Sequence, residues 1–358
     1  MADEPIYFLS GFDRVSTLPA ATEALLSNAP SILQSSKLIS NPQYYINSNL
    51  PKYFMTDSGG KQIFSITSGK KTRYKGYMND PEKPAHYRGY FNWTPEHWKK
   101  SILKDIPTYA ISMDYPIPFN KLIQDHDTIY EKANQINLTW AKDCLRIRKE
   151  YFPQTKIFVP FQGYTFQQLD EFVNNIGGND FTGLCLPMRC YASTERFISF
   201  LKQIKKIGIK SLHLLGTSRL DVIAIVNYLC FHDYFKFISY DSCTIGLSAR
   251  SDKMLLPFDL RPIKIYERAE EIEAIIENDS IDVELITVNE FQELKNMIVK
   301  ERIQYLTNNN YNSIMTTKRE LFSNSKSINS IVKYLSERSI RKDTIQIIQK
   351  SLQEFEQN

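Results

Sequence analysis

No stretch of this 358-residue chain approaches the run of about 20 apolar residues that a membrane-spanning helix needs. The opening residues, Met1-Ala2-Asp3-Glu4-Pro5, are acidic and lack an apolar core, so no secretory signal is expected and a cytoplasmic location is. Cysteine is scarce. The five present (Cys144, Cys185, Cys190, Cys230, Cys243) are odd in number and mostly inside apolar runs, the pattern of buried reduced thiols rather than of a disulfide framework. Cys185 and Cys190 have loose metal-ligand spacing, but no second close pair accompanies them. The five histidines (His86, His97, His126, His213, His232) stand apart, so no metal and no other cofactor is expected. Nor is one sign of charge in large excess: +4 is too small by itself to identify a polyanionic partner. No internal repeat or low-complexity tract is visible.

What is present is an ordinary globular composition, 42% hydrophobic and 23% charged, in a chain long enough for one large barrel or for a barrel with an appended helical piece. Polar or glycine residues recur directly after short apolar runs. Asp57-Ser58-Gly59-Gly60 follows Tyr53-Phe54-Met55, Asp114 follows residues 109–113, and Gln162-Gly163 follows residues 157–161. Gly216 follows residues 212–215, and Asp241 follows residues 235–240. Polar groups at the carboxyl ends of successive buried strands mark the active face of an α/β barrel. With Tyr7-Phe8-Leu9 and residues 183–186, seven strand candidates are visible, so one strand of an eight-stranded barrel is missing from the reading. The runs are continuous rather than alternating, which favours a parallel sheet buried on both faces. The competing arrangement is a doubly wound open sheet.

Helices are expected over residues 19–33, 121–151, 166–176, 194–207, 219–230 and 289–307, and over the acidic segment 267–277. Two terminal amphipathic helices follow, striped by Ile328, Ile331, Val332, Leu335 and by Ile345, Ile348, Leu352, Phe355. The expected organisation is a TIM-like (β/α)8 catalytic barrel over residues 1–260 with a long insertion after the first catalytic strand. A mainly helical extension over residues 261–358 packs on it. The insertion runs from Lys61 to Trp93 and beyond; within it, over Gly69 to Tyr77, Lys70, Lys71, Arg73 and Lys75 are interleaved with glycine and tyrosine, and it also carries Trp93 and Trp98. Cations interleaved with aromatics can neutralise phosphates and stack on bases. Arg250 and Lys253, just after Asp241, could also meet phosphates. Lys202, Lys205, Lys206 and Lys210 form a second basic group, more simply explained as the end of a helix, where lysines are favoured. His213, inside an apolar strand, reads as a core residue, and Asp221 as a first-turn carboxylate of a helix.

Taken in order, Asp57-Ser58-Gly59-Gly60-Lys61-Gln62, Asp114, Phe161-Gln162-Gly163, Leu214-Leu215-Gly216 and Tyr240-Asp241-Ser242-Cys243 resemble the motifs of the tRNA-guanine transglycosylases. The resemblance spans roughly residues 50–250. It implies a (β/α)8 barrel that exchanges guanine in a nucleic acid for a 7-deazaguanine such as preQ0. Asp241 would be the nucleophile that holds the sugar C1′ as a glycosyl ester, and Asp57 the general acid/base. Asp114 and Gln162 would read the base edge, while Ser58, Gly59, Gly60, Gly163 and Gly216 shape its walls. Met188, Phe91 or Tyr115 would cover its face. The family's three-cysteine, one-histidine zinc site has no counterpart, because no cysteine follows Cys243. Leu184-Cys185-Leu186-Pro187-Met188 replaces the usual Gly-Gly-Leu loop, and no appended RNA-binding domain is evident. The chain is thus more similar to the DNA-modifying branch, DpdA, than to the tRNA enzymes. DNA is then the expected partner ahead of tRNA, with other proteins as candidate partners for strand opening. The alternatives are a tRNA enzyme, a catalytically silent nucleic-acid-binding subunit, or an unrelated barrel hydrolase.

Overall fold

A computed structural model describes residues 4–10, 31–35, 53–57, 108–117, 126–151, 153–177, 180–242, 244–256, 260, 262–265, 288–337 and 342–357. Its centre is a curled, wholly parallel sheet flanked by helices. The strands are β1 (Ile6–Leu9), β2 (Ser31–Ser35), β3 (Tyr53–Asp57), β4 (Thr108–Ile111), β5 (Lys156–Pro160), β6 (Gly183–Leu186), β7 (Ser211–Leu214) and β8 (Phe237–Ser242). Each pairs with its sequence neighbour, and β8 pairs back onto β1, with Phe8 opposite Asp241, so the sheet closes.

The unread strand is β2. Its sequence, Ser31-Ile32-Leu33-Gln34-Ser35, has only two apolar residues, and residues 31–33 were expected to end a helix. They form a strand because Ser31 to Ser35 align residue for residue with Tyr53 to Asp57, a long-range pairing that local periodicity does not register.

The five described helices that follow strands are α1 (His126–Tyr151), α2 (Phe166–Ile176), α3 (Thr194–Lys206), α4 (Leu220–Phe231) and α5 (Thr244–Arg250). Their starts and stops have local causes. At α2, Thr165 Oγ1 accepts from the Gln168 N–H while Gln168 Oε1 accepts from the Thr165 N–H, a reciprocal cap, and Gly177 ends the helix at φ +82°. Residues 221–230 of α4 are buried all round, because later helices cover its outer side.

Strand side chains divide by the two-residue period. Tyr7, Leu9, Val159, Leu184, Leu212, Leu214 and Tyr240 face the helices. Phe8, Leu33, Met55, Tyr109, Ile111, Phe158 and Cys185 form a separate cluster, with Tyr53 and Phe237 packed on it, and this cluster fills the inside of the sheet. Its rings are in contact: Tyr109 stacks on Phe237 at 5.1 Å, and the His213 ring lies 6.1 Å from Phe8 and 6.4 Å from Phe158.

Beyond α5 come a hairpin, β9 (Lys253–Leu255) with β10 (Pro262–Lys264), and four helices, α6 (Val288–Asn296), α7 (Val299–Ser323), α8 (Ile328–Glu337) and α9 (Lys342–Glu356). The single helix expected over 289–307 is two. Ile298 is extended (φ −62°, ψ 145°), and Arg302, paired with Asp252 at 2.8 Å, takes up the Met297 carbonyl at 3.2 Å. No proline or glycine marks that break. A boundary at residue 260 falls between β9 and β10. The apolar faces of α7, α8 and α9 join α3 and α4 in one core. Buried Lys318 of α7 reaches the start of β1, donating to the Pro5 carbonyl and to Glu4 Oε2, each at 2.9 Å. The acidic segment expected to be helical over 267–277 lies outside the described residues.

Candidate active site

Asp57 is the last residue of β3, and Asp241 the fifth of the six in β8. Asp114, Gln162, Gly163, Met188 and Gly216 each lie within three residues after β4, β5, β6 or β7. In a closed parallel sheet these positions share one rim. By the two-residue period, Asp57 lies on the same face of β3 as Met55, and Asp241 on the same face of β8 as Phe237, the face lined by the interior cluster.

The interior thiol of Cys185 gives an electrostatic measure of this convergence. Burial pushes its pKa well above the ordinary value, and the carboxylates of Asp114, Asp57 and Asp241 push it further, in that order. All three acids therefore act on one fully buried sulfur of the interior cluster.

Asp241 is held from several sides. Ser10 Oγ, just past β1, donates to Oδ2 at 2.8 Å, and the Gly216 N–H donates to Oδ1 at 3.0 Å. The Thr217 N–H donates to the Asp241 carbonyl at 2.7 Å. Gly216 has φ +76°, a left-handed conformation that suits glycine and aims its N–H at the carboxylate. His213 Nδ1 pairs with Ser239 Oγ at 2.9 Å, while Nε2 comes within 3.3 Å of Asp241 Oδ1 without hydrogen-bond geometry. His213 is fully buried, as a core residue would be, yet it lies beside the candidate nucleophile.

The second constellation is a relay. Gln162 Nε2 donates to both oxygens of Asp114 at 2.8 Å, and Arg189 Nη2 donates to Gln162 Oε1. All three side chains are buried. Desolvation raises the Asp114 pKa from 3.8 to about 6, opposed by the Gln162 hydrogen bond and by the positive charge of Arg189. A buried carboxylate beside a carboxamide can take two N–H groups and offer one in return, which matches the N1–H, exocyclic amine and O6 of a guanine-like ring.

The other expected site residues separate. Ser58, Gly59, Gly60, Lys70, Lys71, Arg73 and Lys75 lie outside the described residues, as do Phe91, Trp93 and Trp98. A Cβ on Gly163 would fall 2.3 Å from Phe161 Cζ, so that glycine admits the Phe161 ring. Met188 opens a 3₁₀ turn (Met188–Tyr191) and is 64% exposed, free to lie on a flat ligand. Tyr115 packs edge-on against Trp140 at 6.3 Å. Arg250 donates from Nε to Gly246 of its own helix, and Lys253 sits in β9 beside a cluster distinct from the interior one. No hydrogen bond or ion pair among the described residues joins either to the carboxylates. Lys205 lies over the rings of Tyr234 and Phe355, where it fastens α9 to α3. Asp221 accepts from Thr194 Oγ1 at 2.6 Å and from Arg219, a first-turn role.

Sequence reading passed over Ser10, Arg189 and the proximity of His213 to Asp241. Ser10 carried a readable signal, as a polar residue directly after an apolar run. Arg189 did not, because its burial depends on the turn after β6.

A cavity of about 830 Å³ opens at the amino ends of the strands, lined by Tyr53, Tyr109, Lys156, Ser211 and Phe237 among others. It lies at the end opposite the carboxylates, and the one acid among the described residues that line it, Glu4, is paired with Lys318. Among the described residues no group of three or more His, Cys, Asp or Glu side chains could hold a metal, and no helix is long and apolar enough to cross a membrane.

Fold and site together define an α/β protein whose curled parallel sheet gathers carboxylates at one rim. No family model matches the chain, and no curated protein matches it either.

Proposed function

We propose that this protein is a guanine transglycosylase acting on DNA in the cytoplasm, built on a full (β/α)8 barrel, with the insertion after β3 as its nucleic-acid clamp. The observation that carries the reading is geometric: Asp57 and Asp241 lie at the carboxyl ends of β3 and β8 of one closed parallel sheet, with the Asp114–Gln162 pair on the same rim. The Gln162 amide held between Asp114 and Arg189 supports it.

A target guanine leaves the base stack, because neither C1′ nor the base edge is accessible inside a duplex. Asp114 accepts its N1–H and amine, and Gln162 donates to O6. One Asp241 oxygen attacks C1′ as the C1′–N9 bond breaks, and the electron pair goes to the departing base, which takes a proton from Asp57. The incoming 7-deazaguanine then loses its N9 proton to Asp57. Its N9 bonds to C1′, and the Asp241 ester oxygen leaves as carboxylate. Ser10 and the Gly216 N–H hold Asp241 for in-line attack.

Incubation of the protein with labelled preQ0 and either guanine-containing DNA or tRNA tests this reading, with nucleosides analysed by mass spectrometry. Label in deoxynucleosides is expected. Label in tRNA alone moves the substrate to RNA, and label in neither rejects the activity.

A further inference from the structure

Arg189 carries a donor with nothing to bind. Its side chain is 5% exposed, and Nη2 donates to Gln162 Oε1. Nη1 of the same guanidinium is buried with no hydrogen-bond partner among the described residues. The turn that holds it is fixed from outside, since Arg196 Nε donates to the Arg189 carbonyl at 3.0 Å. A buried cation with an unmet donor is costly unless something at the site completes it. Burial pulls the guanidinium below its ordinary pKa; the Asp114 carboxylate counters this, and the nearby Arg196 adds to it.

The position of that donor relative to a bound base follows from the relay. If Gln162 reads O6, then Arg189, bonded to the Gln162 amide, lies beside the O6 edge of the ring. In a 7-deazaguanine the 7-substituent projects from that same edge, next to O6. We propose that Arg189 determines specificity, selecting a 7-deazaguanine whose 7-substituent is a hydrogen-bond acceptor, a nitrile or a carboxylate, over one bearing an ammonium. The proposal rests on the transglycosylase reading. An acceptor completes Nη1 and offsets a buried charge, whereas an aminomethyl group brings a second cation against it.

The test compares incoming bases on the guanine-containing polymer that the full-length protein uses. Four bases are offered: 7-deazaguanine as the unsubstituted reference, and its 7-cyano, 7-carboxy and 7-aminomethyl derivatives. With the wild-type protein, kcat/KM is expected to be at least about tenfold higher for the cyano or carboxy base than for the aminomethyl base. These two arms also separate nitrile from carboxylate. Arg189→Met is expected to lower kcat/KM for the favoured base roughly 10- to 100-fold more than for the reference, the size of one charge-assisted hydrogen bond. Arg189→Lys, which keeps the charge, retains the order of preference. If Arg189→Met lowers every base by the same factor, Arg189 merely braces Gln162, and the proposal is overturned while the transglycosylase reading stands. A wild-type preference for the aminomethyl base also overturns it, with no variant needed. Failure of the wild-type protein to exchange any base removes the reading, and the proposal with it.

Discussion

Ser10 Oγ donates to Asp241 Oδ2 at 2.8 Å across the β1–β8 seam, tying the exit of the first strand to the candidate nucleophile in the last. A hydrogen bond to a charged group contributes about 1.5–3 kcal/mol. Ser10→Ala is therefore expected to lower kcat for base exchange roughly tenfold or more. KM for the free base should stay near its original value, since Ser10 touches the carboxylate and not the base-reading pair. Steady-state kinetics separates the two parameters, and a rise in KM with kcat unchanged counts against this role.

Removing the proposed nucleophile should be more severe. Asp241→Ala is expected to reduce exchange by about three orders of magnitude or more and to abolish any covalent protein–nucleic acid adduct on a denaturing gel. Asp57→Asn should slow the reaction by about 10²–10⁴-fold, the range for loss of a general acid/base. An adduct that persists in the Asp241 variant would reassign the nucleophile.

The buried Asp114 carboxyl gives a pH signature with a definite sign. Its pKa is raised from 3.8 to about 6 in the fold, so between these values the folded chain binds more protons than the unfolded one. This contribution to stability is complete below about pH 4 and is lost as pH rises through about 6. The full change corresponds to about 3 kcal/mol. Asp114→Asn should remove that component, so the difference between wild type and variant in urea unfolding should grow over this interval and then level off. On the proposed reading base recognition runs the other way, because Asp114 can accept the N1–H and the amine with both oxygens only when ionised. KM for the incoming base is expected to rise as pH falls below about 6.

Gly216 places its N–H on Asp241 from a left-handed conformation with open space around its Cα. Gly216→Ala is thus opposed by backbone strain alone, about 1–2 kcal/mol. The expected result is a lower urea midpoint with an unchanged slope, together with a fall in kcat. A variant as stable and active as wild type would show that this conformation is not needed.

The legibility of this molecule in its sequence followed the range of the forces involved. Helix α2 was readable to the residue because its cap, its apolar stripe and its glycine stop are all local. Strands β3 to β8 were readable because each is mainly apolar, and the polar residues at or after their ends marked the rim. Strand β2 was not, since its two apolar residues gain strand character only from register with β3. The interruption between α6 and α7 was hidden for the same reason: its cause is Asp252, 50 positions before Arg302. Within the site, Asp57, Asp114, Gln162 and Asp241 stood out by type and position. The links that organise them, Ser10 to Asp241 and Arg189 to Gln162, join segments 231 and 27 residues apart and exist only after folding.

The clasp of Lys318 on Pro5 and Glu4 bears on how the chain matures at the ribosome. β1 is made first, yet one of its edges waits for β8 and its entrance for a side chain 313 residues downstream of Pro5. Closing so long a loop is entropically slow, and until it closes β1 keeps an unpaired edge. Translation must therefore pass β8 before the nascent polypeptide can shut its cylinder, and a product that stops short of Ser242 would emerge unsealed.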